Sequence, residues 1–296
     1  MAEVHIHAGA HRTGSSAVQM FLDLNATEIR SQGFDLAYAG RDGAEGGALK
    51  LWLPAPRHSA KERNWRAMKA QGNLAKHATG DRPLILSEEN IIGRMTPFYA
   101  GKFYPHAEGR LSFLRDVLEG RSVGNLLFLL RPYDSLFVSA YRKRAEENKV
   151  RDFDEIAPGM AGFQGGWPEI VRLIRDVLTP RRLIVLPYGR PRTEVALAKL
   201  FVPELDTSAM RDPAKAVNAS LSDAALHALQ ARWRAGEEAA RATVEAARAE
   251  FADTKADKPF AAFSVAQAAT LRARYDADLD QIRAFSGVEF TEKLPL

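Results

Sequence analysis

One stretch near the start of the chain decides the fold: Val4-His5-Ile6-His7-Ala8-Gly9-Ala10-His11-Arg12-Thr13-Gly14-Ser15-Ser16-Ala17-Val18-Gln19-Met20-Phe21-Leu22. Apolar residues alternate over residues 4–8, which predicts a short strand. The apolar spacing after Ser15 or Ser16 predicts a helix that continues to about Arg30. A strand, a glycine-containing turn and a helix, in this order, aim backbone N–H groups and the positive end of the helix dipole at one point. This arrangement is typical of phosphate-binding loops.

The turn differs from a standard nucleotide triphosphatase loop in one respect. Gly9 and Gly14 have the G-x-x-x-x-G spacing, which such enzymes follow with Lys and then Ser or Thr. Here Ser15 occupies the lysine position and Ser16 the hydroxyl position, while the basic residue, Arg12, lies inside the loop. The sequence therefore predicts a loop that binds phosphate without the usual lysine for a γ-phosphate.

Strand and helix patterns alternate along the first two thirds of the chain. Apolar runs predict strands at 34–38, 83–87, 125–130 and 182–188, and amphipathic patterns predict helices at 59–78, 105–119, 167–178 and 193–201. Apolar strands separated by helices indicate a parallel sheet covered on both faces. We therefore expect an α/β fold, a three-layer parallel sheet of the P-loop nucleoside triphosphate hydrolase type, over residues 1–204.

The remaining residues, 205–296, are expected to form a mainly helical C-terminal part packed on this core as one structural domain. Residues 221–251 are rich in Ala, Glu and Arg, which predicts one or two long helices, and Ser264 to Gln267 is a capping box that opens a last helix. Glycines and prolines predict loops at 40–57 and 151–166, the second of them a mobile loop over the site.

Composition limits the function classes. The net charge of +4 suits an anionic ligand, but without a concentrated patch and an aromatic stacking platform it does not indicate nucleic-acid binding. The absence of cysteine excludes disulfides and thiolate chemistry. The N-terminal residues do not resemble a signal peptide, and no apolar run is long enough to span a bilayer, so we expect a soluble, cytoplasmic protein with no integral membrane segment. The Ala- and Arg-rich composition suggests a bacterial source.

His5 and His7 share one face of the first predicted strand, so they could form part of a metal site. No third ligand is evident near them, and we favour a structural role. We therefore expect no metal.

Two further segments place polar residues at strand ends. The strand at 83–87 ends in Glu88 and Glu89, positioned either for chemistry at the ligand-binding edge of the sheet or for capping the next helix. The strand at 125–130 is followed by Arg131, and Ser139 comes eight positions later. Arg131 and Ser139 can converge on one anion only if this segment folds back near the strand end.

The two motifs together resemble those of P-loop-fold sulfotransferases. Residues 10–16 resemble the 5′-phosphosulfate loop, K-[TS]-G-[TS]-[TS], and residues 130–142 resemble the 3′-phosphate motif, an Arg at a strand end with a Ser eight positions later. The resemblance implies transfer of a sulfuryl group from 3′-phosphoadenosine 5′-phosphosulfate (PAPS), directly and in line, to a hydroxyl or amine of a saccharide or other small polar acceptor. It implies these donor-binding residues: Arg12, Thr13, Gly14, Ser15, Ser16, Arg131 and Ser139.

The resemblance also implies a general base, a His or Glu near the end of the second main strand; Glu88 fits best and Glu89 is its rival. Arg12 departs from the family's lysine: arginine keeps the positive charge but does not donate a proton to the leaving oxygen. Ala17 stands where some members have a tryptophan that stacks on adenine. Two alternatives follow: a P-loop kinase or hydrolase, which the missing Gly-Lys-[Ser/Thr] disfavours, and a catalytically degenerate binding or scaffold protein, which Arg12 would suit.

Overall fold

The computed structural model describes residues 2–40, 43–189, 192–214, 220–237 and 239–294. These residues form an α/β fold in which a six-stranded, all-parallel sheet is flanked by helices, with strand order β2-β3-β1-β4-β5-β6. The strands are β1 (Glu3–His7), β2 (Asp35–Tyr38), β3 (Leu84–Ser87), β4 (Ser122–Leu130), β5 (Arg182–Pro187) and β6 (Val288–Phe290). The parallel sheet and its first five strands confirm the sequence prediction.

Helices connect the strands and form the outer layers. They are α1 (Ser15–Leu24), α2 (Ala26–Ser31), α3 (Ala60–Leu74), α4 (Ala107–Val117), α5 (Tyr133–Glu147), α6 (Phe153–Ala161), α7 (Trp167–Leu178), α8 (Glu194–Phe201), α9 (Asp223–Arg234), α10 (Arg241–Glu250) and α11 (Val265–Arg283), with a short 3₁₀ helix at Thr96–Ala100. One predicted helix is divided: the side chain of Asn25 donates to the Phe21 carbonyl, 2.8 Å away, and separates α1 from α2.

The sheet separates two hydrophobic cores, one on each face. Val4 and Ile6 of β1 face the larger core, which includes residues of α3 to α7, α9 and α11. The smaller core lies under α1, α2 and α8. Because β1 lies between β3 and β4, the turn that follows it opens at the middle of the sheet's carboxyl edge.

The prediction of a loop throughout 151–166 is wrong. Residues 153–161 form α6, because Phe153, Ile156 and Met160 recur at helical spacing and are buried. Gly159 lies on the open side of this helix, where a Cβ would meet no atom within 4 Å, so the glycine does not interrupt the packing. Residues 43–57, in contrast, form neither helix nor strand, as predicted.

The C-terminal part contains two helices over the 221–251 stretch and then α11, whose capping box is formed as predicted: the Gln267 backbone N–H donates to Ser264 Oγ at 3.2 Å. Helix α11 packs against the core, and its Tyr275 hydroxyl donates to the Leu130 carbonyl at 3.1 Å. The sequence reasoning missed β6, which is three residues long and pairs with β5 at the sheet edge. Nowhere in the described ranges is a helix long and apolar enough to cross a membrane.

Candidate functional site

The turn after β1 is a closed loop held by its own side chains. Gly9 and Gly14 have φ values of 87° and 88°, a left-handed conformation that glycine adopts without steric cost. The hydroxyls of Thr13 and Ser15 both donate to the Ala10 carbonyl, at 2.6 and 3.2 Å. The loop is thus fixed from within, and it is adjacent to the end of β3: a Cβ on Gly9 would lie 3.2 Å from the Glu89 Cα.

Helix α1 starts directly from this loop. Gly14 is its N-cap and has no side chain that could cap the first turn, and the first turn carries no acidic residue. The partial positive charge of the helix N-terminus is therefore not neutralised by a carboxylate within that turn. Such an N-terminus favours an anionic ligand.

The two motifs predicted from sequence are in contact. Arg12 Nε donates to Ser139 Oγ at 2.9 Å, so the loop is bonded directly to α5. The Arg131 guanidinium donates to the Arg12 carbonyl, and Arg131 Nε donates to Ser135 Oγ at 3.1 Å. Burial lowers the pKa of Arg131, and the neighbouring Arg12 lowers it further, while Tyr188 and Asp134 oppose the shift. An anion bound beside Arg131 would offset this cost of burying a cation.

Sequence reasoning missed two residues of the site, Tyr188 and Arg192. Arg192 Nη2 donates to the Thr13 carbonyl at 2.8 Å, so this side chain also contacts the loop. Arg131 and Arg192 lie 5.1 and 5.6 Å from the centroid of the Tyr188 ring. Tyr188 directly follows β5, so the tendency of parallel sheets to bind ligands at their carboxyl edge could have identified it. No comparable signal marks Arg192.

Two cavities meet at the loop. The smaller, of about 230 Å³, contains most of the predicted donor-binding residues. Its walls include Arg12, Gly14, Ser15, Ser16, Arg131 and Ser139. The larger, of about 600 Å³, extends from His11 and Asn90 towards α5. Arg12, Ser16 and Glu89 line both cavities. Thr13 is buried, and its hydroxyl is engaged within the loop.

Glu88 and Glu89 are directed to different surroundings. Glu88 is buried, and its Oε1 accepts hydrogen bonds from the Asn90 backbone N–H at 2.9 Å and from Asn90 Nδ2 at 2.7 Å. Glu89 is half-buried and forms part of the boundary between the two cavities. Neighbouring residues just after a strand diverge in this way because successive side chains alternate in direction.

Glu88 organises a chain of hydrogen bonds that ends at His11. Because Asn90 donates its NH₂ group to Glu88, its Oδ1 faces His11 Nε2, 3.1 Å away, and that nitrogen is the donor. His11 Nδ1 then accepts from the Tyr104 hydroxyl at 3.1 Å. Both ring nitrogens are engaged, so His11 is held in one tautomer, which is a structural role for this ring.

Arg110 also holds the segment that follows β3, which contains Glu88, Glu89 and Asn90. It is buried and donates to the carbonyls of Asn90 and Pro54, each at 2.6 Å. Burial lowers its pKa to about 10, with a further contribution from Arg94, while Glu88 opposes the shift. The segment after β3 is therefore anchored to α4 and to the 43–57 loop.

His5 and His7 are buried under the sheet face that carries α1. His7 Nδ1 lies 2.9 Å from Ser87 Oγ, and His5 Nδ1 accepts from the Asn125 backbone N–H at 3.1 Å. Burial lowers the pKa of both, that of His7 to about 3 with a further contribution from Arg192. Within the described ranges, no group of three or more His, Asp or Glu side chains is arranged to hold a metal ion.

No protein family, curated protein or solved structure matches this chain. The chemistry of the site itself is therefore the basis for assigning a function.

Proposed function

We propose that the chain is a PAPS-dependent sulfotransferase of the P-loop type, in which the smaller cavity binds the donor and the larger one binds a hydroxyl acceptor. One observation carries the proposal: a cationic cavity at the loop after β1 and a second cavity share Arg12, Ser16 and Glu89. A shared boundary that holds a cation, a hydroxyl and a carboxylate suits the transfer of an anionic group between two substrates.

The smaller cavity fits a donor with two anionic ends. Arg12, Ser16 and the N-terminus of α1 offer a site for the 5′-phosphosulfate, and Arg131 with Ser139 offers one for the 3′-phosphate. The central position of β1 in the strand order, with its loop at the carboxyl edge of the sheet, supports the same assignment.

Glu89 is the general base in this proposal. Its half-buried carboxylate at the boundary takes the proton of the acceptor hydroxyl, as the acceptor oxygen forms its bond to sulfur and the bond from sulfur to the phosphate oxygen breaks. The electron pair leaves on the phosphate of 3′-phosphoadenosine 5′-phosphate (3′,5′-ADP). Arg12 stabilises the charge that develops on the transferring group and remains protonated.

Glu88 has a positioning role in the same proposal. Its hydrogen bonds to Asn90 fix the turn that carries Glu89, and through Asn90 they fix His11 beside the loop.

Calorimetric titration with 3′,5′-ADP and with 5′-AMP, which lacks the 3′-phosphate, tests the proposal. The wild-type protein is expected to bind 3′,5′-ADP more tightly, and Arg131→Ala to weaken that binding by at least thirtyfold, or about 2 kcal/mol. The variant should lose less affinity for 5′-AMP than for 3′,5′-ADP, because Arg131 is assigned to the 3′-phosphate and supports the 5′ site only through the Arg12 carbonyl. Arg181→Ala, at the opposite edge of the sheet, is the matched control.

Two results would overturn the assignment. Equal affinity of the wild type for both nucleotides would remove the 3′-phosphate site. Binding and turnover of magnesium ATP in place of 3′,5′-ADP would favour a kinase or hydrolase.

A further inference from the structure

A third cavity continues the proposed acceptor cavity away from the loop. It has a volume of about 350 Å³ and shares Thr96, Tyr99 and Arg144 with the 600 Å³ cavity. Its far walls include Val150 and Ile156, near the start of α6. The two cavities adjoin at the three shared side chains, and together they follow α5 from Glu89 towards the start of α6. We call this the α5 groove.

The α5 groove is cationic along its length. Arg94 and Arg144 line its first part, and Lys149 and Arg151 line its second part. These four side chains are exposed, and none forms an ion pair with a carboxylate of the described residues. Lys143 is different, because it is paired with Glu146 and Glu147 at 2.9 and 3.0 Å, and Glu147 also lines the first part of the groove.

The remaining lining of the α5 groove is suited to hydroxyl groups. Thr96 and Asn148 present a hydroxyl and an amide side chain, which both donate and accept hydrogen bonds, whereas the Asn90 amide is held by Glu88 and His11. Tyr99 presents its ring at the junction, held by a hydrogen bond of 3.1 Å from its own hydroxyl to the Ala140 carbonyl. Fixed aromatic rings with polar neighbours provide contact area at a low cost in conformational entropy.

We infer that the acceptor is an extended anionic oligosaccharide, which lies in the α5 groove with one hydroxyl at Glu89 and its acidic groups along Arg94, Arg144, Lys149 and Arg151. This inference rests on the proposed function for the identity of the reacting end. Charge selects an anion, the length of the groove selects a chain of several units, and the amide and hydroxyl lining selects a saccharide over an acidic peptide.

Calorimetric titration with three probes of six units each tests the inference. The probes are hexagalacturonate, which is an acidic saccharide, cellohexaose, which is a neutral one, and hexaglutamate, which is an acidic peptide. Hexagalacturonate is expected to bind most tightly of the three probes. Its affinity should fall as the ionic strength rises, because salt screens the attraction between its carboxylates and the cations of the groove. The Lys149→Ala/Arg151→Ala double variant should lose about tenfold or more in that affinity. The matched control, Lys61→Ala/Lys76→Ala, removes two exposed charges outside the groove and should bind as the wild type does.

A parallel titration with 3′,5′-ADP separates this inference from the proposed function, because both double variants should bind that nucleotide normally. If 3′,5′-ADP binds but hexagalacturonate does not, the inference fails and the proposed function stands. Equal affinity for cellohexaose, tighter binding of hexaglutamate, or an equal loss in the control variant would also overturn the inference. If 3′,5′-ADP does not bind to the wild type, the proposed function fails and the acceptor role of the groove fails with it.

Discussion

Changing Glu88 and Glu89 to glutamine, one at a time, should give opposite results in two assays. Glu88→Gln should reduce stability and leave the chemistry largely in place, whereas Glu89→Gln should leave stability unchanged and remove most of the turnover. The contrast follows from where the two side chains lie: Glu88 is buried and bonded to Asn90, and Glu89 lies at the boundary of the two cavities.

The stability effect of Glu88→Gln can be worked out from two hydrogen bonds. Both Asn90 donors bind the Glu88 carboxylate, at 2.9 and 2.7 Å. Glutamine keeps an acceptor oxygen but loses the charge that strengthens each bond, at about 1 kcal/mol per bond. The expected loss is about 2 kcal/mol, which lowers the melting temperature of a chain of this size by roughly 4 °C.

Glu89→Gln should change the free energy of unfolding by less than about 0.5 kcal/mol, because the side chain is half-buried and glutamine has nearly the same shape. Because Glu89 is the proposed general base, its replacement should lower turnover by about 10²- to 10⁴-fold. Removing a negative charge from the wall of the proposed donor cavity should also make 3′,5′-ADP bind as tightly as in the wild type or more tightly.

Three measurements test these expectations. Thermal unfolding measures stability, and titration with 3′,5′-ADP measures nucleotide affinity. Turnover is measured as release of 3′,5′-ADP from PAPS in the presence of a hydroxyl acceptor found by screening. Normal turnover by Glu89→Gln, together with loss of turnover by a fully stable Glu88→Gln, would refute the reasoning and assign the base to Glu88. Loss of turnover in neither variant would remove both glutamates from the chemistry.

Two further predictions concern the stability of the fold. The pKa of His7 is lowered from 6.5 to about 3, so below its ordinary pKa the unfolded chain takes up a proton that the folded chain does not. Stability should therefore fall as pH drops from about 6.5 towards 3, by about 2 kcal/mol near pH 5 from this residue alone. The free energy of unfolding, measured with urea at several pH values, should depend less on pH in His7→Gln than in the wild type. An equal pH dependence would contradict the lowered pKa of His7. Tyr133→Phe should cost about 1–3 kcal/mol, because the Tyr133 hydroxyl donates to Asp278 and accepts from the Trp167 backbone N–H; an unchanged melting temperature would contradict this.

The sheet was predictable because its first five strands are apolar and the helices that connect them have clear sequence boundaries. Helix α7 lies at the predicted residues 167–178, since Pro168 sets its first turn and the apolar face is continuous. Helix α6 was missed because Gly159 and Gly162 predicted a loop. The helical spacing of Phe153 and Ile156, which are buried, was the weaker signal in the sequence. Strand β6 has only three residues, too few for a periodic signal to appear.

The candidate site was predictable where its residues belong to a sequence motif. It was not predictable where a residue's role depends on side-chain direction or on a contact between distant segments. The resemblance to the two sulfotransferase motifs implied that Arg12, Arg131 and Ser139 bind one donor, and these three side chains line one cavity. The resemblance favoured Glu88 over Glu89 as the base, whereas our proposal assigns the base to Glu89, because Glu88 is buried and bonded to Asn90 and Glu89 lines both cavities. Which of two neighbouring side chains turns inward is not recorded in the sequence. Arg192 reaches the loop from a segment more than 170 residues away along the chain, and no local pattern records such a contact.

The edge position of β6 has a consequence for how the chain folds during synthesis. Val288 pairs with Leu183 across more than a hundred residues, and the central strand β1 pairs with β3 and β4 over comparable separations. Pairings this distant in sequence make folding slow, because a long segment must be ordered before each contact forms. A nascent chain that has emerged only as far as α10 holds the whole loop after β1 but leaves one edge of β5 unpaired. That edge is a surface for self-association until the last strand is translated.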